Sequence, residues 1–280
     1  SDASLSQVVN NTISDTSYGA YVAYSNNNNV SANTLSNNSW NIYLAYSNSN
    51  VVGNNIASGG SVGIQIMRSQ GNSVFNNIVS SSSYGIYLGY CGTNTVSGNT
   101  ASLSDWGIEL YSSTGSTIKE NTVLDNTWGI YIAEESDGNR IYRNNFMYNI
   151  QQAYQDLTSS NTWRTSTTPY QGNYWSDYTG VDANGDGIGD TAYTFPIGVD
   201  SYPLMVPLGV HDVAITNVTV SATQVYQGET VNITVTAKNE GMAESFTVTT
   251  YANSTIIEQQ TISSLAPNAS ETLVFTWNTS

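Results

Sequence analysis

A four-residue phrase recurs along the first half of this chain at a fixed spacing of 22 residues. Its six copies are Gly19–Val22, Asn41–Leu44, Gly63–Ile66, Gly85–Leu88, Gly107–Leu110 and Gly129–Ile132. A period this strict indicates that each repeat is one structural coil stacked on the one before it. The phrase therefore fixes the architecture of about half of the chain before any function is considered.

The residues of the repeats are typical of strands and turns rather than of helices. Short alternating runs rich in Val, Ile, Tyr and Thr are separated by Asn, Ser and Gly, which favours β-structure. This pattern predicts an all-β fold, a parallel β-helix of about seven coils over residues 1–150. Within a phrase, alternation points the two aliphatic side chains inward and the residue between them outward. We expect the glycine that opens most phrases to allow a bend that other residues resist.

Asparagines share the 22-residue period and form two columns. The first contains Asn11, Asn33, Asn55, Asn77, Asn99 and Asn121, and the second contains Asn28, Asn50, Asn72 and Asn94, followed by Ser116. Because stacked coils lie about 4.8 Å apart, each amide can donate to the carbonyl of the next asparagine and form a ladder. The seventh coil is displaced by one residue, so that Asn139 and Ile141 come one place late.

The charge and the cysteine content limit the class of protein. The 280 residues carry a net charge of −15, from six Lys and Arg against 21 Asp and Glu. This balance argues against nucleic acid and anionic membranes as partners, and the sequence contains no run typical of a membrane span. The single Cys91 excludes an internal disulfide framework, and both a buried passive thiol and an intermolecular bridge remain open.

Glycosylation acceptors of the form Asn-X-Ser/Thr are frequent in this chain, and Lys and Cys are scarce. Together these features favour an exported glycoprotein that is extracellular and located at the cell surface. The candidate acceptors are Asn10, Asn29, Asn37, Asn217, Asn232, Asn253, Asn268 and Asn278.

The repeat fades near residue 150, and an aromatic stretch over residues 151–209 follows. We expect it to cover the end of the β-helix, because an uncapped coil exposes unpaired strand edges and apolar core. Within it, hard oxygen ligands stand at alternate positions, in the side chains of Asp182, Asn184 and Asp186. The backbone carbonyl of Ile188 would be the next ligand, and the side chain of Asp190 would be the last. This order matches the start of an EF-hand or dockerin-type loop, so the sequence predicts a structural calcium ion.

The calcium loop departs from the EF-hand pattern at its end. Tyr193 stands at the twelfth position, where an EF-hand has Glu. The loop must therefore close differently, and Asp177 and Asp200 are the candidate additional ligands. A turn of Asp, Asn and Gly without an ion is the alternative interpretation.

Three motifs in this stretch carry a family resemblance. They are Asn173–Tyr178, Asp182–Asp190 and Asp200–Met205. With the repeats, they resemble the NosD-like right-handed β-helix proteins over residues 6–206, and many of these are large archaeal surface proteins. The founding members serve copper-site maturation of nitrous oxide reductase. We do not extend that role to this chain, because one His, four Met and one Cys make a poor set of copper ligands.

Residues 210–280 change to alternating strands at the spacing of an immunoglobulin-like sandwich. The motifs Gln227–Thr230, Lys238–Gly241 and Ser264–Pro267 resemble the cell-adhesion-related immunoglobulin-like domains of prokaryotic surface proteins. Domains of that family continue for two more strands, so the domain is expected to be truncated or to be completed by a strand from another copy. Head-to-tail self-association into a filament is the resulting partner hypothesis.

The acids of the later coils are the place where a catalytic site would have to lie. Hydrolases of this fold need paired carboxylates on adjacent coils. Lyases of this fold need a basic residue near a calcium-binding cluster of acids, and Arg140 and Arg143 are close to these acids in sequence. The candidate acids are Asp105, Glu109, Glu120, Asp125, Glu134, Glu135 and Asp137. We interpret them as a solvated acidic patch and His211 as a surface residue, and we therefore predict no catalytic residues.

The sequence thus favours a structural protein of the cell surface that forms a surface layer, a sheath or an extracellular filament. The outward column of the phrases is mostly tyrosine, which can stack against sugar rings or simply pack between coils. Its members are Tyr21, Tyr43, Gln65, Tyr87, Glu109 and Tyr131. A carbohydrate-binding adhesin is therefore the alternative hypothesis. A polysaccharide lyase or hydrolase is the third and least favoured one.

Overall fold

The structure is a computed structural model that describes residues 5–209, 213–239, 243–266 and 269–279. The chain forms two compact units, Ser1–Met205 and Val206–Ser280. Every regular element in the described residues is a β-strand or an isolated bridge, as the alternating sequence predicts.

Each coil of the first unit contributes two strands of three residues and one longer strand. In chain order these strands are β1 (Gln7–Val9), β2 (Thr12–Ser14), β3 (Tyr18–Ala23), β4 (Asn29–Ser31), β5 (Thr34–Ser36), β6 (Trp40–Ala45), β7 (Val51–Gly53), β8 (Ile56–Ser58), β9 (Val62–Met67), β10 (Ser73–Phe75), β11 (Ile78–Ser80), β12 (Tyr84–Gly89), β13 (Thr95–Ser97), β14 (Thr100–Ser102), β15 (Trp106–Tyr111), β16 (Thr117–Lys119), β17 (Thr122–Leu124), β18 (Trp128–Ala133), β19 (Arg140–Tyr142), β20 (Asn145–Met147) and β21 (Gln151–Gln155).

Equivalent strands of successive coils pair in parallel and form three sheets. Sheet A runs β1-β4-β7-β10-β13-β16-β19, sheet B runs β2-β5-β8-β11-β14-β17-β20, and sheet C runs β3-β6-β9-β12-β15-β18-β21. The pairing offset is 22 residues up to the sixth coil and becomes 23 where Ile118 pairs with Ile141. The predicted parallel β-helix of about seven coils, with its displaced seventh coil, is therefore confirmed.

The corners between sheets A and B are single residues in the left-handed backbone region, with φ near +55°. These residues are Asn10, Ala32, Asn54, Asn76, Gly98, Glu120 and Arg143. Asn and Gly enter this region most readily. Ala, Glu and Arg are held there because the backbone of each coil is hydrogen-bonded to the coils on either side.

The phrase glycines are needed for space rather than for a bend. None of those in the later coils has a positive φ, but a Cβ at Gly85 would lie 2.5 Å from the carbonyl oxygen of Gly107. A Cβ at Gly107 would lie 2.6 Å from Cγ1 of Val123. Our expectation of a glycine bend is therefore wrong, because sheet C passes too close to its neighbours for a side chain at this position.

The interior of the coils is filled by the aliphatic columns that the alternation predicts. Ile64, Ile86 and Ile108 stack in register, as do Ile66, Leu88 and Leu110, and all six are fully buried. Each fully buried aliphatic side chain contributes about 1.5–3 kcal/mol relative to exposure. The outward residue between the two members of each pair differs: Tyr87 is half-buried, whereas Gln65 and Glu109 are buried.

Both predicted asparagine ladders are present. In the first, Nδ2 of each residue donates to Oδ1 of the next at 2.9 Å, from Asn11 through Asn33, Asn55, Asn77, Asn99, Asn121 and Asn144 to Asn173. The second runs from Asn28 to Asn94, continues through the hydroxyl of Ser116, and ends with Asn139 donating to Asn161. Equivalent asparagines of adjacent coils are thus in direct contact.

Two further ladders were not apparent from the sequence. One is built of small side chains that accept from the backbone N–H of the preceding coil, and it contains Ser47, Ser69, Cys91, Ser113, Ser136 and Ser159. The other mixes residue types and contains Asn38, Ser104, Asn126 and Asn149. Cys91 therefore occupies a serine position inside the β-helix, as a buried thiol.

Aromatic side chains of residues 151–209 pack on the last coil. Strand β22 (Tyr174–Trp175) extends sheet B beyond β20, and β23 (Tyr193–Phe195) pairs with β24 (Gly198–Asp200) as a hairpin. The Trp175 ring stacks on Phe146 at 4.7 Å and on Tyr193 at 4.4 Å. These contacts cover apolar surface that the last coil would otherwise expose.

The second unit contains two antiparallel sheets. Its strands are β25 (Val213–Val220), β26 (Thr230–Asn239), β27 (Glu244–Ala252), β28 (Thr255–Leu265) and β29 (Ser270–Asn278). One sheet has the order β25-β26-β29, and the other is the pair β27-β28. Val235 and Phe275 from the first sheet and Ile262 and Leu265 from the second share one small core. This arrangement is consistent with the predicted immunoglobulin-like domain.

Candidate functional site

The outer face of sheet C is the most aromatic surface of the first unit. One outward column contains Tyr18, Trp40, Val62, Tyr84, Trp106 and Trp128, and a second contains Tyr21, Tyr43, Gln65, Tyr87, Glu109, Tyr131 and Tyr154. Successive rings are stacked, with centroids 4.7 Å apart for the pairs Tyr84–Trp106 and Tyr131–Tyr154. Much of this aromatic surface therefore packs between coils.

Two polar side chains interrupt the second outward column. Gln65 and Glu109 both pair in register with Tyr87, one coil before it and one coil after it. Glu109 is only 7% exposed, and its buried Oε2 atom accepts no hydrogen bond. Burial raises the pKa of the Glu109 carboxyl to about 7, because removal from water disfavours the charged form. Burial, together with the charge of Glu109, also raises the pKa of Tyr87.

The other predicted acids do not join Glu109 in one site. Asp105, Asp125, Glu134 and Glu135 are exposed at corners of the coils. Glu120 forms ion pairs with Lys119 at 3.3 Å and with Arg143 at 3.7 Å. Asp137 accepts a hydrogen bond from the backbone N–H of Ser160. Arg140 is exposed on β19. His211 lies outside the described residues.

The Asp-rich loop is organised by hydrogen bonds from its own backbone. The carboxylate of Asp182 accepts from the N–H groups of Gly185 at 2.7 Å and Gly187 at 2.8 Å, and both glycines have positive φ. Oδ2 of Asp190 accepts from the N–H of Ala183 at 2.7 Å, which brings the two ends of the loop together. Asn184 and Asp186 accept from N–H groups two residues further on.

No three His, Cys, Asp or Glu side chains converge on a metal position within the described residues. The loop aspartates therefore do not meet at one point in this structure. Their oxygens, the Asn184 amide and the Ile188 carbonyl nevertheless form the all-oxygen donor set that suits calcium. The carboxylate of Asp177 accepts hydrogen bonds from the hydroxyl of Tyr193, which lies 3.0 and 3.1 Å from the two carboxylate oxygens.

The carboxylate of Asp200 ends the first asparagine ladder and is bonded there rather than to the Asp-rich loop. Its buried carboxylate accepts from the N–H and Nδ2 of Asn173, from Nε1 of Trp175 at 3.0 Å and from the N–H of Tyr202 at 3.0 Å. Burial raises the pKa of Asp200 to about 6, although these four donors favour the ionised form. The sequence pattern does not indicate this role, since Asp200 lies beyond the repeat and shares no period with it.

The described residues do not fit a copper centre. Sγ of Cys91 is inside the coils, where it donates to the carbonyl oxygens of Ile66 and Gly89. Met67 lies on sheet C, Met147 lies on sheet B, and Met205 lies within the stretch that caps the last coil. Soft ligands that copper prefers are therefore dispersed over this part of the chain.

Most candidate glycosylation acceptors are at the surface. Asn10, Asn37, Asn217, Asn232, Asn253 and Asn278 are exposed. Asn29 is half-buried within β4, and its Oδ1 atom is buried without a hydrogen-bond partner. Asn268 lies outside the described residues. Which of these sites is glycosylated stays a prediction.

These features define a class of protein: a parallel β-helix stabilised by polar ladders, followed by an immunoglobulin-like unit. Residues 1–180 match the family model described as periplasmic copper-binding protein (NosD), and residues 210–280 match the CARDB model. The chain belongs to the NosD family, as the motifs predicted. The archaeal origin that the resemblance suggested stays a prediction.

Curated relatives support the family over a short segment. The chain is 41% identical to a probable ABC transporter binding protein NosD of Stutzerimonas stutzeri and 40% identical to its counterpart in Pseudomonas aeruginosa, over 63 residues in each case. The matched segment is 22% of this chain and 14% of each relative.

Among solved structures, the matches to this chain include a periplasmic alginate epimerase, AlgG, and the Dettilon tailspike protein. AlgG is 21% identical with a TM-score of 0.49, and the match covers 60% of this chain and 43% of AlgG. The tailspike is 13% identical with a TM-score of 0.37, and the match covers 95% of this chain and 68% of the tailspike.

In the described residues, no helix has the length and apolar character needed to cross a membrane.

Proposed function

We propose that this chain is a non-catalytic structural protein that acts outside the cytoplasm, as part of a surface layer, a sheath or an extracellular filament. The observation that carries the proposal is the first asparagine ladder, which joins every coil from Asn11 to Asn173 without a break. The family description supports a periplasmic or surface location, and the adhesion-related domain supports a role in attachment.

The ladders hold the successive coils of the β-helix together. Each coil is bonded to the next by three short parallel sheets and by buried side-chain amides, and hydrogen bonds in such chains strengthen one another. Removing one coil would leave donors and acceptors of two neighbours unsatisfied, at about 1–3 kcal/mol for each buried group. A body of this kind resists local opening and is suited to bear load.

Calcium binding by the Asp-rich loop is part of the proposal. Asp182, Asn184, Asp186, the carbonyl of Ile188 and Asp190 would hold the ion, and the ion would fix a long exposed loop. We expect calcium to raise the thermal midpoint of the chain, by an amount equivalent to about 2.7 kcal/mol at 100 times the dissociation constant. Replacing both Asp182 and Asp186 by Asn should remove this effect, whereas Asp177→Asn should preserve it. An unchanged midpoint of the unsubstituted chain would contradict the calcium proposal.

Self-association through the second unit is the proposed mode of assembly. Strand β25 pairs only with β26 among the described residues, and it exposes Ile215, Val218 and Val220. An exposed apolar edge strand is a template for a strand from another copy. The alternating strands of this unit therefore favour strand donation as the contact between copies.

Imaging of the native protein in place tests the assembly. We expect cryo-electron tomography to show ordered arrays or filaments, and Val218→Lys to disrupt them because a charge blunts a strand edge. Asn253→Lys, at the exposed hairpin between β27 and β28, is the control. Monodisperse short particles from the full-length native protein would contradict the proposal.

A second candidate function is carbohydrate binding by the outer face of sheet C. The half-buried tyrosine and tryptophan rings favour it, because such rings pack against the apolar faces of sugars. A glycan array with no bound glycan would exclude this candidate. Incubation with polyuronates should release neither unsaturated ends nor reducing sugar, and release of either would contradict the non-catalytic role.

A further inference from the structure

One carboxylate on the outer face of sheet C lacks the partner that its environment requires. Glu109 is 7% exposed, and its Oε2 atom is buried without a hydrogen bond. Glu109 forms no ion pair with a described residue, and the cations Lys119 and Arg143 pair with Glu120 instead. Buried carboxylates are normally paired, because an uncompensated buried charge is strongly unfavourable. Position 109 therefore provides one half of a binding site.

Aromatic rings provide the other half. Glu109 pairs in register with Tyr87 on one side and Tyr131 on the other, and Trp106 precedes it on the outer face of β15. All three rings are half-buried at the surface, so a ligand would have to displace surface side chains to reach the carboxylate. The negative faces of tyrosine and tryptophan rings attract cations. The carboxylate and the three rings together form a site suited to a positively charged group.

The chain already holds a cation between tyrosines in this manner. The guanidinium carbon of Arg68 lies 5.6 Å from the ring centroid of Tyr46 and 5.4 Å from that of Tyr90. These tyrosines come one coil before and one coil after Arg68, just as Tyr87 and Tyr131 flank Glu109. The space between tyrosines two coils apart therefore admits a cation, and at Glu109 a negative charge occupies the middle position.

We infer that the Glu109 site binds a small organic cation, namely an ammonium or guanidinium group, between its carboxylate and the rings of Tyr87, Tyr131 and Trp106. The net charge of −15 raises the local concentration of cations around the chain. A neutral sugar would satisfy the carboxylate with hydroxyl donors but would gain nothing from its charge. This site is additional to the structural role proposed above and does not depend on it.

Ionisation of Glu109 controls the site. The titratable groups that face it are Tyr84, Tyr87, Tyr111 and Tyr131, with Asp105 and Glu134 farther out. The pKa of each of these tyrosines is raised above its usual value, so they stay neutral near pH 7. Because the pKa of Glu109 is about 7, its ionised fraction rises about tenfold between pH 6 and pH 8. Affinity for a cation should rise by about the same factor.

The test is a titration of the full chain with tetramethylammonium chloride, followed by NMR of the aromatic resonances. We expect saturable binding at pH 8 and about tenfold weaker binding at pH 6. The similarly shaped but neutral tert-butanol should bind at least tenfold more weakly than the cation at pH 8. Choline and an N-acetylated trimethyllysine amide present the same head group on a free molecule and on a side chain, so their relative affinities separate these two sources.

Two variants make the test specific. Glu109→Gln has a precedent in Gln65, which pairs with Tyr87 from the other side, and it should weaken binding at least tenfold and abolish the pH dependence. Glu134→Gln removes an exposed charge from the neighbouring corner and should leave the affinity unchanged. If Glu109→Gln does not fold, the pH profile of the unsubstituted chain decides.

Three results would overturn the inference: equal affinity for tetramethylammonium and tert-butanol, unchanged affinity in Glu109→Gln, or an affinity that does not change between pH 6 and pH 8. Binding of a neutral saccharide that is lost in Glu109→Gln, without cation binding, would also overturn it and would assign the site to sugars. None of these results bears on the asparagine ladders or on assembly, so the structural proposal is tested separately.

Discussion

The β-helix unit and the immunoglobulin-like unit differ in how they treat buried polar groups. The β-helix buries about as many Asn and Ser side chains as aliphatic ones and satisfies them in ladders between coils. In the described residues of the second unit, Asn239 is the one buried polar residue, and it donates to the carbonyl oxygen of Leu265. Strict repetition places like over like, so that an amide can bond to its own copy, whereas a sandwich must find a separate partner for each polar group.

The largest effect is expected where the ladder ends. Asp200→Ala would leave four buried donors without an acceptor, on Asn173, Trp175 and Tyr202. At about 1–3 kcal/mol for each unsatisfied group, we expect a loss of at least about 4 kcal/mol in the free energy of unfolding of the β-helix. Denaturant unfolding would measure it, and Asp200→Asn, which keeps an oxygen acceptor, should lose less. Equal losses in the two variants would show that the ladder does not need an acceptor there.

A break inside the ladder comes next and compares the two units directly. Asn77→Ala leaves the N–H and Nδ2 of Asn55 without their acceptor, and we expect a loss of about 3 kcal/mol. Asn217→Ala, on the exposed face of β25, should change stability by less than about 0.5 kcal/mol. Thermal unfolding followed by circular dichroism measures both. Similar effects in the two variants would remove the distinction between the units.

The stability of the β-helix should also depend on pH. The folded-state pKa values of Asp200 and Glu109 are raised to about 6 and about 7. At these two residues the native state therefore binds more protons than the unfolded state between about pH 4 and pH 7, and their contribution to stability falls as pH rises through this window. For Asp200 the shift corresponds to roughly 2–3 kcal/mol.

The melting temperature measured from pH 4 to pH 8 checks this dependence. Asp200→Asn and Glu109→Gln should each flatten part of the profile, and the double variant should flatten it most. A melting temperature that rises from pH 4 to pH 7 would contradict the prediction that burial raises the pKa values of these two acids.

The smallest effect is expected at Cys91. Because Cys91 stands in a ladder of serines and donates to two carbonyl oxygens as they do, Cys91→Ser should change the free energy of unfolding by less than about 1 kcal/mol. Cys91→Ala removes the donor without adding bulk and should cost more. Chemical denaturation under reducing conditions compares them, and a severe loss in Cys91→Ser would show that the thiol has a role beyond the ladder.

The sequence by itself determined the repeat, the parallel pairing, the inward aliphatic columns and the two asparagine ladders. It could do so because a fixed period carries a residue such as Asn55 onto its equivalent in the next coil, so that spacing alone specifies contact. The NosD-type motifs after residue 170 likewise indicate the family from the sequence alone.

The tertiary structure alone decided what lies off the period or depends on burial. Asp200 meets Asn173 only because the cap folds back on the last coil, and the mixed ladder with Asn38, Ser104, Asn126 and Asn149 is hidden by its changing residue types. Glu109 looked like one member of an exposed acidic patch, yet rings from neighbouring coils remove it from water. Burial is a property of the assembled neighbours, which linear spacing does not contain.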